Sequence, residues 1–139
     1  MIDSVFIKDV LDLTFDDFRA GDLLRKQIPF LVEGERQHTG IGIFIHFKYD
    51  NKIEKYKIDS ESVTCFDSYG KQFERLNGVE IRNESLSILA DTYVILRDGL
   101  IDHIEIFNKS GDDYPLTDPE HYELHQMWLV SSERRTIIK

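Results

Sequence analysis

His103 and Glu105 stand two residues apart in a run of β-favouring residues that spans positions 90–107. An imidazole beside a carboxylate can move a proton at neutral pH, which makes the pair the first candidate for acid–base chemistry. Thr92 would join it if the run folds back on itself, giving His103, Glu105 and Thr92 as the alternative catalytic set. No nucleophile with its own base accompanies them, and the plainer reading is a solvated sheet face with no catalytic residue. His121 and His125 have the spacing that places two imidazoles on one helical face, as a zinc site requires. The glutamate that should follow the first histidine in a zinc protease is absent, because Tyr122 stands there. In a strand the two rings would lie roughly 13 Å apart, too far to share an ion. The expectation is therefore no metal and no cofactor. Cys65, the single cysteine, has no histidine or acid beside it and reads as a packing residue.

A second group of residues suggests recognition. Asp112, Asp113 and Glu120 crowd the same stretch as Tyr114 and Trp128. Aromatic anchors among carboxylates suit a basic protein surface, since aromatics dominate binding energy and charge steers approach. The competing reading buries the aromatics and leaves the acids to water. The whole chain leans the same way, with 26 acidic against 17 basic residues and a formal net charge of −9. That balance argues against nucleic acid and against anionic membranes, although acidity also serves solubility alone. No phosphate-cradling glycine motif and no calcium-loop spacing occurs.

The elements that must position these residues follow from pattern. Asp98-Gly99 supplies the two positive-φ positions of a type I′ turn, so residues 90–107 read as a β-hairpin. With a regular register, Arg97 faces Leu100, Ile95 faces Asp102, Tyr93 faces Ile104 and Asp91 faces Ile106. That places Tyr93, Ile95, Leu100, Ile104 and Ile106 on the core face. His103, Glu105 and Thr92 then share the other face, each opposed across the strands. Residues 14–28 read as a helix capped by Thr14, with Asp16 and Asp17 early, Arg25 and Lys26 late, and Pro29 at its end. Residues 1–13 are ambiguous. Residues 34–40 read as a polar loop, followed by a second hairpin of 41–49 and 52–58 that sets His46 opposite Lys55. A third strand pair, 62–66 with 71–76, surrounds the turn at 67–70. Residues 119–130 read as a turn and a last strand, with a helix as the alternative, and 131–139 as a mobile tail.

The expected fold class is α+β: one domain over 1–139, an N-terminal helix packed on a largely antiparallel sheet of hairpins, flat or strongly curved. The chain carries 41% hydrophobic and 31% charged residues, enough for a real core. It has no apolar run of transmembrane length and no secretory leader pattern, so a cytoplasmic setting is expected. In general character (small, acidic, sheet-rich, catalytically bare) it is similar to the immunity proteins that bacteria pair with secreted toxins. That likeness of type carries no residue over and implies a basic partner such as a toxin domain. The alternative is a small-ligand-binding or hydrolytic domain using the His103/Glu105 face.

Overall fold

A computed structural model describes residues 1–16, 18, 20–59, 65–66, 68–128 and 133–139. Helix α1 (Val5–Thr14) begins at Ser4, whose hydroxyl accepts the backbone N–H of Ile7 at 3.2 Å. Phe6, Ile7, Val10, Leu11 and Leu13 recur at helical spacing and are buried. The single helix expected over 14–28 is therefore two. Thr14 is the last residue of α1 and not a cap, its hydroxyl donating to the Val10 carbonyl at 2.7 Å. A tight corner anchored by fully buried Phe15 leads into α2 (Gly21–Gln27). Asp17 lies outside the described residues. Pro29 stands in the short 3₁₀ turn that ends α2.

Among the described residues eight strands follow: β1 (Leu31–His38), β2 (Gly42–Tyr49), β3 (Cys65–Phe66), β4 (Gln72–Asn83), β5 (Ile88–Arg97), β6 (Leu100–Asn108), β7 (Glu123–His125) and β8 (Thr136–Ile138). All pairings are antiparallel, in the order β1-β2-β6-β5-β4-β7-β8, with β3 added beside β4. The sheet is open. Both helices lie on one side of the sheet, α1 against β4 and α2 against β6, and Ile43, Ile45, Val94, Leu96, Ile104 and Ile106 share one core with the buried residues of α1. The expected α+β class with an N-terminal helix on an antiparallel sheet is what the chain adopts.

Three local expectations change. Most of the predicted 34–40 loop belongs to β1, an edge strand whose charged residues mask its periodicity. The second hairpin has no returning strand, because Asn51–Tyr56 wind into a 3₁₀ turn capped by Asp50, whose side chain accepts from Lys52 N at 2.9 Å. Residues 136–138 of the predicted tail form β8 against β7. The third pair is present as β3 and β4, while 62–64 and the Cys65 side chain lie outside what is described. Among the described residues no helix is long and apolar enough to cross a membrane.

Candidate functional site

The main hairpin turns at Asp98 (φ +50°) and Gly99 (φ +76°), as its sequence demands. Its register then departs from the regular one. Arg97 pairs with Leu100 and Leu96 with Ile101, but Ile95 pairs with His103, so Asp102 is an extra residue in β6. Beyond this bulge each β6 residue faces the neighbour of its expected partner. Tyr93 and Ile95 leave the predicted core face and join His103 and Glu105, while Val94, Leu96 and Ala90 take their places in the core.

Thr92 consequently separates from the pair it was expected to complete. It sits opposite Ile106, buried, and its hydroxyl accepts from Val79 N at 2.7 Å and donates to Val79 O at 2.9 Å. Those bonds hold a second bulge, in β4 between Asn77 and Glu80. Gly78 permits this approach, since a Cβ there would lie 2.1 Å from the Thr92 hydroxyl. Thr92 thus has a structural task on the far face of the sheet.

The bulge also lets two consecutive residues, Asp102 and His103, converge. His103 Nδ1 donates to Asp102 Oδ2 at 2.6 Å, and Nε2 donates to Glu105 Oε2 at 3.0 Å. Carboxylates only accept, so the buried ring carries both protons. Burial alone would push His103 down, but hydrogen bonds from Asp102 and Glu105 outweigh it and hold the ring above its ordinary value. Burial likewise opposes the charge on Asp102, and the His103 bond wins and lowers it. The His103 bond lowers Glu105 too. Across the β2–β6 pairing His46 faces His103, with ring centroids 5.1 Å apart. The expected His46–Lys55 pairing is absent, because Lys55 belongs to the 3₁₀ turn. His46 Nε2 meets Gln37 Oε1 at 3.0 Å, Arg97 Nε lies 3.5 Å from Asp102, and Arg75 lies 3.7 Å from Glu105.

His46 and Asp102 were invisible as site residues in the sequence. The pairing that joins β2 to β6 spans some sixty positions and leaves no local trace. The one available signal was the adjacency of Asp102 and His103 close to the Asp98-Gly99 turn. The other histidines stay apart: His125 lies in β7 with Nε2 3.1 Å from Glu123, and exposed His121 precedes the strand.

The predicted recognition residues divide. Asp112, Asp113 and Glu120 are exposed. Tyr114 is 5% exposed and in the core, so it can anchor no partner from the surface. Trp128 is partly buried and lines a small hollow with Met127 and Tyr93, its indole N–H unpartnered among the described residues. Glu120 lines a separate shallow groove between the β4–β5 turn and residues 115–123. Phe107 supplies an exposed aromatic instead: it is 48% exposed on the helix-free face, with Leu89 40% exposed on the same face. The next residue, buried Asn108, locks the acidic loop beside it. Its carboxamide donates to Ser87 O and Asp112 O, both at 3.0 Å, and accepts from Leu89 N at 3.0 Å. Tyr114 N donates to Gly40 O at 2.8 Å and fixes the loop's far end to the β1–β2 turn.

The sequence matches no family model and no curated protein, and the fold matches no solved structure.

Proposed function

We propose that this is a non-enzymatic binding protein that docks a basic protein partner, as an immunity-type protein docks a toxin domain in the cytoplasm. The observation that carries the reading is the Asn108 clamp. It holds Asp112 and Asp113 in a fixed loop beside exposed Phe107, so an apolar anchor and two carboxylates present themselves together without ordering on contact. The net charge of −9 extends the same sign over the whole chain and would steer a cationic partner. The hydrolytic alternative loses support from the positions of its own residues: Thr92 faces away, and both His103 nitrogens are engaged by carboxylates.

Pull-down from the native host, followed by binding kinetics across a salt series, tests the proposal. Neutralising Asp112, Asp113 and Glu120 together should lower the association rate and flatten its salt dependence. Phe107→Ala should speed dissociation. A partner whose association ignores both salt and the triple neutralisation would remove the electrostatic argument. A small molecule that stabilises the wild type but not His103→Ala, with no protein partner recovered, would overturn the reading in favour of ligand binding.

A further inference from the structure

The geometry points to a divalent transition-metal site of the zinc class at His46, Asp102 and His103. A ring nitrogen from each histidine and a carboxylate oxygen of Asp102 all lie within 4.8 Å of one another. A tetrahedral ion with bonds near 2.1 Å needs its ligands about 3.4 Å apart. Asp102 and His103, now at 2.6 Å, would open slightly, and His46 would close by a side-chain rotation. Two imidazoles and one carboxylate are a donor set for zinc, cobalt, nickel or copper and a poor one for calcium or magnesium, which take oxygen. Three protein ligands leave a fourth position to water.

Each of these ligands already has an outer partner. Gln37 Oε1 orients the His46 ring, Glu105 accepts from His103 Nε2, and Arg97 lies against Asp102. A carboxylate on the non-ligating nitrogen of a histidine is what fixes the tautomer and strengthens the metal bond in such sites. It leaves His103 Nδ1 as the ligating atom. Coordination there displaces the hydrogen bond between Nδ1 and Asp102, so any proton on Nδ1 leaves for solvent. Asp102 and Glu105 offset the dication around two neutral rings, with Arg97 and Arg75 beside the same two carboxylates. The exposure fits an open site, since the His103 side chain is 10% exposed and that of Asp102 32%.

Untagged protein, stripped with chelator, would be titrated with Zn²⁺ by calorimetry and with Co²⁺ by absorption. The expected result is one ion per chain, with the visible Co²⁺ bands of a tetrahedral site. His46→Ala and Asp102→Asn should each weaken Zn²⁺ binding at least tenfold, roughly the loss expected even of an outer-partner change. Glu105→Gln should weaken it by about tenfold through His103 alone. His46 is partly exposed, so its variant is expected to fold, and circular dichroism checks that. His121→Ala should bind as wild type does. No stoichiometric binding would overturn the site, as would binding that survives His46→Ala or is lost in His125→Ala.

Discussion

The side chain of Gln27 donates to the carbonyl of Gly99 at 3.0 Å, across 72 positions of sequence. The same carboxamide donates to Tyr56 O and accepts from Ile101 N, each at 2.9 Å, and it is fully buried. One glutamine at the end of α2 therefore joins the helix, the 3₁₀ turn and the tip of the main hairpin. All of its polar atoms are satisfied, which is the condition under which a buried amide stabilises.

Gln27→Ala should leave the buried Ile101 N–H and the half-buried Tyr56 carbonyl without this partner, while Ile58 N still donates to Gly99 O. A loss of about 2–3 kcal/mol is expected. Urea unfolding with an unchanged m-value would register it as a shift in midpoint. A midpoint equal to that of wild type would show that water replaces the amide at no cost.

Gly99 should tolerate no side chain. Its φ is +76°, and a Cβ would lie 2.0 Å from the Ile58 carbonyl oxygen. Gly99→Val is expected either to fail to fold or to lose well over roughly 2 kcal/mol, since strain and overlap add. Asp98→Gly relieves positive φ at the neighbouring position and should cost far less. Thermal melts of the two purified variants separate the effects, and equal melting temperatures would refute the local packing.

The His103 cluster should give a stability that depends on pH in a defined direction. His103 is held above its ordinary value of 6.5, so its contribution is complete below that pH. It is lost as pH rises through the raised native value. Asp102 and Glu105 are held below their ordinary values of 3.8 and 4.5. Their contribution is present above those values and lost as pH falls through the lowered native ones. In chelator-containing buffer, the difference in melting temperature between wild type and His103→Gln should be largest near pH 5–6 and shrink on the alkaline side. A proton NMR titration of His103 with its midpoint at or below 6.5 would contradict this.

The hairpin turn was legible because Asp98-Gly99 names its own geometry. The bulge four residues later was not, because an extra strand residue has no composition of its own. Yet that one residue decides which side chains share a face: it took Thr92 out of the candidate site and brought Asp102 in, while His46 came with the β2–β6 pairing. The α+β class survived because it rests on many alternating segments at once, whereas a site rests on one register. Edge strand β1 was hidden for another reason. Glu33, Glu35, Arg36 and Gln37 discourage pairing with a second chain, and the same polarity reads as loop. The split between α1 and α2 escaped because Thr14 offers a hydroxyl that caps as well as it back-bonds.

The ion pairs that close α1 also bear on how the chain is made. Arg135 meets Asp16 through two contacts of 2.6 Å and Asp12 at 3.0 Å, Lys139 meets Asp9 at 3.0 Å, and Tyr122 donates to Asp9 at 2.8 Å. The helix is translated before these partners. During synthesis α1 can wind as it leaves the ribosome, and Arg25 of α2 can reach Asp12 and Asp16 soon after, but Asp9 stays unmatched until Tyr122 and Lys139 emerge. Its apolar flank must wait for β4. A nascent chain stalled before Tyr122 would hold α1 against β4 without the contacts of Tyr122, Arg135 and Lys139, and an incompletely seated amphipathic helix of this kind is the state that chaperones recognise.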